Sequence, residues 1–273
     1  MKKLLIVLLA LMMIIAVVGC AKTDTTDTTD VSDTTSDTTT DTGSDETAGN
    51  AVQEAALAYF AGDFVNPMIS WEDLFTLIDN GEEPFILSIR QQDVYDQGHI
   101  TGAYLASWGA DLASKLTMLP TDQTVYVYCY SGQTAGQTVA ILRMLGIDAV
   151  SVKSGYNYGA TTIDGYMDYV STEAAELPDS GASFDADVLA WAQEYFNSVA
   201  DNGNFQIGSA DAAVMNENGE AVVLDIRTAD DYAAAHIDGA VNLPFGAGMD
   251  FSGLSMDDKD RKSTRLNSSH VSQ

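Results

Sequence analysis

Basic residues are scarce in this chain of 273 residues, which has 12 Lys and Arg against 40 Asp and Glu and a formal net charge of −28. Between Thr23 and Asp258 the basic residues are Arg90, Lys115, Arg143, Lys153 and Arg227. Nucleic-acid binding depends on clustered Lys and Arg that neutralise phosphates. The composition therefore argues against a nucleic-acid partner and favours a protein that anionic surfaces repel.

Cysteine and histidine are also rare, with two Cys and three His in the whole chain. His99 and His236 are isolated from any Cys or carboxylate cluster, so the pattern predicts no metal site. We expect no cofactor either. Cys20 and Cys129 are far apart in the sequence, and each needs its own explanation.

Long apolar runs are missing as well. The run from Leu4 to Val18 has 15 residues, whereas a membrane-spanning helix needs about 20. After the basic Met1-Lys2-Lys3 it is typical of a signal peptide, and "VVGC" resembles the lipobox of bacterial lipoproteins. Residues 1–20 are therefore predicted to be a lipoprotein signal peptide with Cys20 as the lipidated residue. The alternative is an ordinary signal peptide with an unrelated Cys. We expect an extracytoplasmic protein that is anchored to the bacterial membrane by this lipid alone.

Residues 21–50 form a predicted tether of Thr, Asp, Ser and Gly. This stretch has almost no apolar side chain to bury, so folding would not offset the entropy of ordering it. A disordered chain of this length would span roughly 30 Å, and we interpret it as a spacer.

The other end of the chain changes character at residue 260. "DRKSTRLNSSHVSQ" is basic and polar after a strongly acidic body, and it resembles the translation of a common sequencing-library adapter. We interpret 260–273 as an artefact of that kind. The alternative is a genuine basic tail that contacts anionic lipid.

Two segments of the chain repeat each other at a distance of 137 residues. The residues that recur are Leu87, Ile89, Arg90, Asp93, Tyr95, His99, Ile100, Gly102 and Ala103. A repeat of this length predicts two copies of one domain, at 51–180 and 181–259. A residue 137 positions after Cys129 would fall inside the suspect tail, so we expect the second copy to be truncated before its own loop. Such a half-domain is expected to expose apolar surface.

Within the first copy, strand and helix patterns alternate. Buried strands are predicted at Phe85–Ile89, Val125–Tyr128 and Ala149–Val152, and helices at Trp71–Asp79 and Gly136–Leu145. Strands that are separated by helices in a small unit predict a mainly parallel sheet with helices on both faces.

The thiol of Cys129 follows the strand at Val125–Tyr128 and precedes a helix, which is where α/β folds bind their ligands. The loop "CYSGQTA" contains Gly132, which permits a tight or left-handed turn. Backbone N–H groups of such a loop can face the sulfur, and a helix N-terminus adds positive potential. The pattern favours a reactive thiolate; the alternative is an inert buried thiol.

In these motifs the sequence resembles the rhodanese, or sulfurtransferase, family. The resemblance rests on "LSIR", "GHITGA" and "CYSGQTAG" in the first copy and on "LDIR" and "AHIDGAVNLPF" in the second. It implies tandem rhodanese-like α/β domains. It also implies that Cys129 takes sulfane sulfur from a small donor, holds it as a persulfide and passes it to an acceptor. The loop residues implied to cradle the persulfide are Tyr130, Ser131, Gly132, Gln133, Thr134 and Ala135.

Two positions depart from the pattern of that family. Ser88 stands where the family has Asp, and Thr134 stands where it often has Arg. The donor therefore stays open among thiosulfate, mercaptopyruvate and a polysulfide, with a thiol or cyanide as the acceptor. No second Cys of the mature domain is available to resolve the persulfide, so the acceptor must be external. Related phosphatases need a longer loop that ends in Arg to hold phosphate, so phosphatase activity is not expected.

The remaining motif residues are predicted to be structural. Arg90 and Arg227 are expected to form ion pairs, and His99 and His236 to hold a turn by hydrogen bonds. The box also contains Gly102 and Gly239. The rival function is a non-catalytic sulfide or persulfide sensor or binding module, which Ser88 and the absence of basic loop residues favour.

Overall fold

The computed structural model describes residues 43–61, 67–246 and 249, with the backbone only for 43–50. The predictions for the signal peptide, for Cys20, for residues 21–42 and for 260–273 lie outside these residues. Among the described helices, none has the length and apolar character needed to cross a membrane.

A five-stranded parallel sheet forms the centre of the first copy. Its strands are β1 (Met68–Ile69), β2 (Phe85–Ser88), β4 (Tyr104–Leu105), β5 (Val125–Tyr128) and β6 (Ala149–Val152). They lie in the order β1-β6-β5-β2-β4, and every neighbouring pair is parallel. The predicted parallel sheet is therefore confirmed. A separate antiparallel pair joins β3 (His99–Ile100) to β7 (Val170–Ser171).

In the first copy one helix precedes the strands and the others lie between them along the chain. They are α1 (Gly43–Ala61), α2 (Trp71–Asp79), α3 (Gln92–Gln97), α4 (Ala110–Lys115), α5 (Gln133–Met144) and α6 (Gly155–Tyr158). Short 3₁₀ helices occupy Leu116–Met118, Ala160–Thr162 and Tyr166–Tyr169. The Ser70 hydroxyl caps α2 by accepting the Asp73 N–H at 3.1 Å.

Alternating residues of the central strands face two separate cores. Leu87 and Val127 belong to the core that contains α4 and α5, and Ile86 and Tyr128 belong to the core that contains α2. Cys129 lies in the first of these cores. Strands that are buried on both faces account for the continuous apolar runs in the sequence.

The start of α1 differs from the prediction. The helix begins at Gly43, inside the segment expected to be a disordered tether. Ala51, Val52 and Ala55 pack against the core of the first copy, and this contact stabilises a helix whose composition does not predict one. Residues 43–50 are therefore helical rather than part of the tether.

The second copy contributes fewer elements. They are α7 (Ala186–Ser198), a 3₁₀ helix (Gly203–Phe205), α8 (Ser209–Glu217), β8 (Leu224–Asp225), α9 (Ala229–Ala234) and β9 (Val241–Asn242). Strands β8 and β9 pair in parallel. Although α7 lies within 181–259, its Val188 and Phe196 are buried in the core of the first copy. Val214, Val241 and Phe245 are exposed, but so are Leu57, Met68, Tyr158 and Met167 of the first copy, so the expectation of extra apolar surface in the second copy stays a prediction.

Candidate active site

The sulfur of Cys129 receives hydrogen bonds from its own loop. Cys129 directly follows β5, at the carboxyl edge of the sheet, and its Sγ atom accepts N–H groups from Gly132 at 3.1 Å and from Ala135 at 3.4 Å. Of the six residues expected to cradle this sulfur, Gly132 and Ala135 make the contact directly. N–H groups directed at sulfur favour a negative charge on it.

The loop is shorter than predicted because α5 begins at Gln133 rather than at Gly136. Gly132 precedes the helix in the left-handed conformation, with φ +87°, which glycine adopts without strain. Gln133, Thr134 and Ala135 therefore form the first helical turn. The first N–H groups of a helix have no acceptor within the helix and carry partial positive charge, so this turn presents donors to the sulfur.

Tyr130 and Ser131 form the part of the loop that turns away from the strand. The Tyr130 hydroxyl accepts the backbone N–H of Gln91 at 3.1 Å, which ties the loop to the start of α3. Both loop residues are half-buried, as are Gln133 and Thr134. The rim of the loop is therefore open to solvent although Cys129 itself is only 1% exposed.

A second segment, "GYNYG" at 155–159, supports the loop from the other side. The Tyr156 N–H donates to the carbonyl oxygen of Cys129 at 2.8 Å, and the Asn157 N–H donates to that of Tyr130 at 2.9 Å. The two glycines of this segment are the sequence signal of a close backbone approach.

Trp71 holds this second segment in place. Its indole Nε1 donates to the Gly155 carbonyl oxygen at 2.9 Å, and its side chain is buried. A β-carbon on Gly159 would lie 2.3 Å from the same indole nitrogen, so a larger residue there would collide with it. Trp71 therefore both packs in the core and holds the second segment by a hydrogen bond.

The repeated box has the same geometry in both copies. The Tyr95 hydroxyl donates to the Ala103 carbonyl at 2.5 Å, and its counterpart Tyr232 donates to Ala240 at 2.6 Å. The ring of His99 stacks on Tyr95, and His236 stacks on Tyr232 in the same way.

Hydrogen bonds of the two histidines close this turn, as predicted. In each copy Nδ1 of the histidine lies 2.8 Å from the carbonyl oxygen of the stacked tyrosine. Nε2 of His99 also lies 3.0 Å from the Glu173 carbonyl oxygen. Gly102 and Gly239 follow with φ +76° and +77°, which explains why glycine recurs at this turn.

The arginines of the box differ between the copies. Arg227 forms the predicted ion pair with Asp225, and this pair holds the pKa of the Asp225 carboxyl below its usual value. Arg90 forms no ion pair within the described residues, so the prediction for it is wrong. Its Nη2 donates to the Gly98 carbonyl oxygen at 2.5 Å, as that of Arg227 does to Ala235 at 2.6 Å, but Ser88 leaves Arg90 without the carboxylate that Arg227 also contacts.

No group of three or more His, Cys, Asp or Glu that could hold a metal ion occurs among the described residues. The first turn of α5 contains neither an acidic nor a basic side chain. No charged side chain of this turn therefore contributes to the electrostatic potential at the Cys129 sulfur, whereas the backbone N–H dipoles do.

Solved structures that are similar to this chain include rhodanese-like proteins. SseA from Escherichia coli, whose crystal structure is described as one of 3-mercaptopyruvate sulfotransferases, is 18% identical over 72% of this chain and 82% of its own, with a TM-score of 0.35. The rhodanese-like domain of the Anabaena sp. Alr3790 protein is 26% identical over 44% of this chain and 89% of its own, with a TM-score of 0.34. No curated protein matches the sequence.

The sequence profile of the Rhodanese-like domain family matches residues 70–160 and 209–271. The first match contains β2, the Cys129 loop and the "GYNYG" segment, and the second contains the repeated box around His236. It also runs into the segment 260–273. Together the two matches cover more than half of the 273 residues, and the chain therefore belongs to the Rhodanese-like domain family, with two such domains in tandem.

Proposed function

We propose that the chain is a sulfurtransferase in which Cys129 carries sulfane sulfur as a persulfide. The observation that carries this proposal is the pair of N–H groups, from Gly132 and Ala135, that donate to Cys129 Sγ. Dipoles directed at the sulfur stabilise its anionic form, and the thiolate is the nucleophile in sulfur exchange.

In the first half-reaction, the Cys129 thiolate attacks the outer sulfur of the donor. A bond forms between Sγ and that sulfur, and the bond from that sulfur to the rest of the donor breaks. The leaving group takes the bonding electron pair and departs as sulfite from thiosulfate, as the pyruvate enolate from mercaptopyruvate, or as a shorter polysulfide. In the second half-reaction, a thiolate or cyanide attacks the outer sulfur and the Cys129 thiolate leaves.

The loop also supports the additional sulfur of the persulfide. Gln133 and Thr134 lie in the first turn of α5, where N–H groups lack helical acceptors. Ser131 and Thr134 of the same loop are half-buried, and their hydroxyl groups are able to donate hydrogen bonds. Such a set stabilises an anion with neutral groups, which suits a terminal sulfur with one negative charge.

A mass measurement tests this proposal. In a Cys20→Ser background of the full chain, Cys129 is the one remaining thiol. Incubation with thiosulfate, mercaptopyruvate or a polysulfide is expected to add the mass of one sulfur atom, and cyanide is expected to remove it as thiocyanate. Cys129→Ser in the same background should do neither. A parent protein that gains no mass and releases no product with any of the three donors overturns the proposal.

A non-catalytic persulfide sensor is the second candidate. Cys129 is 1% exposed and has no basic side chain in the first turn of the following helix, which favours slow exchange. A sensor would acquire the extra sulfur but release it to cyanide or thiols much more slowly than it gained it. Comparing the rates of the two half-reactions distinguishes the candidates.

We further propose that Cys20 anchors the protein to the outside of the bacterial membrane through a lipid. The basic n-region, the apolar run and "VVGC" support this proposal. The parent protein is expected in the membrane fraction, and Cys20→Ser is expected in the soluble extracytoplasmic fraction. Equal distribution of the two proteins would contradict it.

A further inference from the structure

Arg90 has lost the carboxylate that its counterpart retains. In the second copy, Nε and Nη2 of Arg227 both donate to the Asp225 carboxylate. In the first copy, Ser88 occupies the Asp225 position, and the buried Nε of Arg90 has no hydrogen-bond partner. The Ser88 hydroxyl also lacks a partner in hydrogen-bond geometry, so it does not replace the carboxylate.

The guanidinium of Arg90 is thus a buried charge without a counterion among the described residues. Arg90 is 1% exposed, and one of its nitrogens donates to the Gly98 carbonyl oxygen. Its Cζ atom lies 4.2 Å from the centre of the Tyr156 ring and 5.4 Å from that of Tyr128. Ring faces and a carbonyl dipole stabilise a cation, but they leave its net charge in place.

This charge lies next to the Cys129 loop, on the opposite face of the sheet. Tyr128 directly precedes Cys129, and the Tyr156 N–H donates to the Cys129 carbonyl oxygen. Strands β2 and β5 are neighbours with Ser88 opposite Tyr128, and neighbouring strands lie about 4.8 Å apart. These contacts place the guanidinium beside the Cys129 loop, where a charge in a buried environment is weakly screened.

The titratable side chains packed around Arg90 are tyrosines and one histidine; the exposed carboxylate of Asp96 on α3 acts on Tyr95 but forms no ion pair with Arg90. Burial raises the pKa of Tyr95 from α3, of Tyr128 from β5 and of Tyr156 from α6, with burial as the largest cause in each. His99 from β3 stacks on Tyr95. None of these groups supplies the negative charge that Asp225 supplies to Arg227.

We propose that Arg90 is a positioning residue for the reaction of Cys129, because its uncompensated charge favours the thiolate and the persulfide anion. This inference rests on the proposed function. It connects the two departures from the family pattern. Thr134 stands where the loop often carries Arg, and Ser88 leaves the buried Arg90 without a carboxylate partner at that position. The first copy thereby obtains positive potential at the sulfur without a basic side chain in the loop.

Restoring the carboxylate tests this inference. Ser88→Asp gives Arg90 the partner that Asp225 gives Arg227, whereas Ser88→Asn introduces a side chain of the same size without charge. In the full chain with Cys20→Ser, Ser88→Asp is expected to slow the alkylation of Cys129 by iodoacetamide at neutral pH about three- to tenfold. Its pH profile should move to higher pH, and that of Ser88→Asn should match the parent.

A second variant, Arg90→Gln, controls for local misfolding caused by Ser88→Asp. Arg90→Gln keeps a donor for the Gly98 carbonyl oxygen but removes the charge, so its pH profile of alkylation should move in the same direction. Unchanged profiles in both Ser88→Asp and Arg90→Gln would overturn the inference, as would equal shifts in Ser88→Asp and Ser88→Asn. Alkylation requires no sulfur donor. A shifted profile in a protein that forms no persulfide would thus reject the proposed function and retain the role of Arg90.

Discussion

Gly155 lies against the backbone of Gly132. A β-carbon on Gly155 would come within 2.6 Å of the Gly132 amide nitrogen, the same nitrogen that donates to Cys129 Sγ. Gly155 also has φ +59°, a conformation that L-residues with side chains adopt at a cost. The two loops therefore meet backbone to backbone, and the absence of a side chain at Gly155 is a condition for the N–H groups to reach the sulfur.

Gly155→Ala is expected to displace the Cys129 loop. The methyl group collides with backbone rather than with a flexible side chain, so the loop must shift. We expect persulfide formation at Cys129 to fall at least tenfold with the overall fold retained, as measured by mass shift and by circular dichroism. The estimate corresponds to the loss of one directed donor to the anion.

Gly146→Ala is the matched control for this substitution. Gly146 has φ +86°, but a β-carbon there meets no heavy atom within 4 Å. This variant therefore imposes the same kind of backbone strain, about 1 kcal/mol, without touching the loop. It should lose stability and keep its rate of persulfide formation; equal loss of rate in both variants would contradict the role of the close approach.

Trp71→Phe tests the indole hydrogen bond to the Gly155 carbonyl oxygen. Phenylalanine retains most of the packing but has no donor, so we expect a loss of about 1 kcal/mol in the free energy of unfolding and slower sulfur transfer. Trp108→Phe removes a comparable bond, from the indole to Asn204 at 2.8 Å, which does not involve the Gly155 segment. It should lower stability to a similar extent and leave the transfer rate unchanged.

The parts of this fold that the sequence predicts well are those with strong periodic or spacing signals. Strands β5 and β6 match their predicted bounds because continuous apolar β-branched runs are typical of buried parallel strands. The 137-residue repeat predicts a shared geometry, which the paired contacts of Tyr95 and Tyr232 reproduce. Cys129 is identifiable because a thiol rarely occupies a glycine-containing loop between strand and helix.

The parts that the sequence misses depend on contacts between distant segments. The hydrogen bond from Trp71 to Gly155 joins residues that are 84 positions apart in the sequence, and no local pattern predicts it. Helix α1 begins in a polar segment, because packing of its later turns against the core stabilises it. The sequence shows that Ser88 replaces the carboxylate next to Arg90. That Arg90 is buried without a counterion in the part of the chain that the structure describes becomes evident only when both copies are compared in three dimensions.

Asp225→Ser gives the second copy the serine that the first copy has at the equivalent position, Ser88. It removes the partner of Arg227 and leaves a guanidinium that still donates to the Ala235 carbonyl oxygen. We expect hydrogen exchange of the amides in 224–242 to accelerate, because Asp225 also accepts the Arg227 backbone N–H. Asp201→Ser, at an exposed position, makes the same change in net charge and should leave this exchange unaltered. Unchanged protection in Asp225→Ser would show that the pair contributes little.

Alkaline pH is expected to unfold the protein cooperatively through its buried tyrosines. Burial raises the pKa values of Tyr128 and Tyr195 above the ordinary value of about 10. Because the folded state holds these protons more tightly than the unfolded state, their contribution to stability is complete below about pH 10 and is lost as the pH rises through the folded values. Phenolate absorbance should therefore appear together with the loss of near-ultraviolet circular dichroism.

Tyr195→Phe tests which tyrosine dominates that transition. The substitution removes a hydroxyl that donates to Gln137 at 3.0 Å but leaves the aromatic packing with Phe205. With one fewer group to ionise on unfolding, the fall in stability with pH should be less steep, as followed by urea unfolding at several alkaline pH values. Ionisation of all tyrosines before any loss of structure would contradict the expected linkage, since it would mean that the folded interior does not resist the phenolate charge.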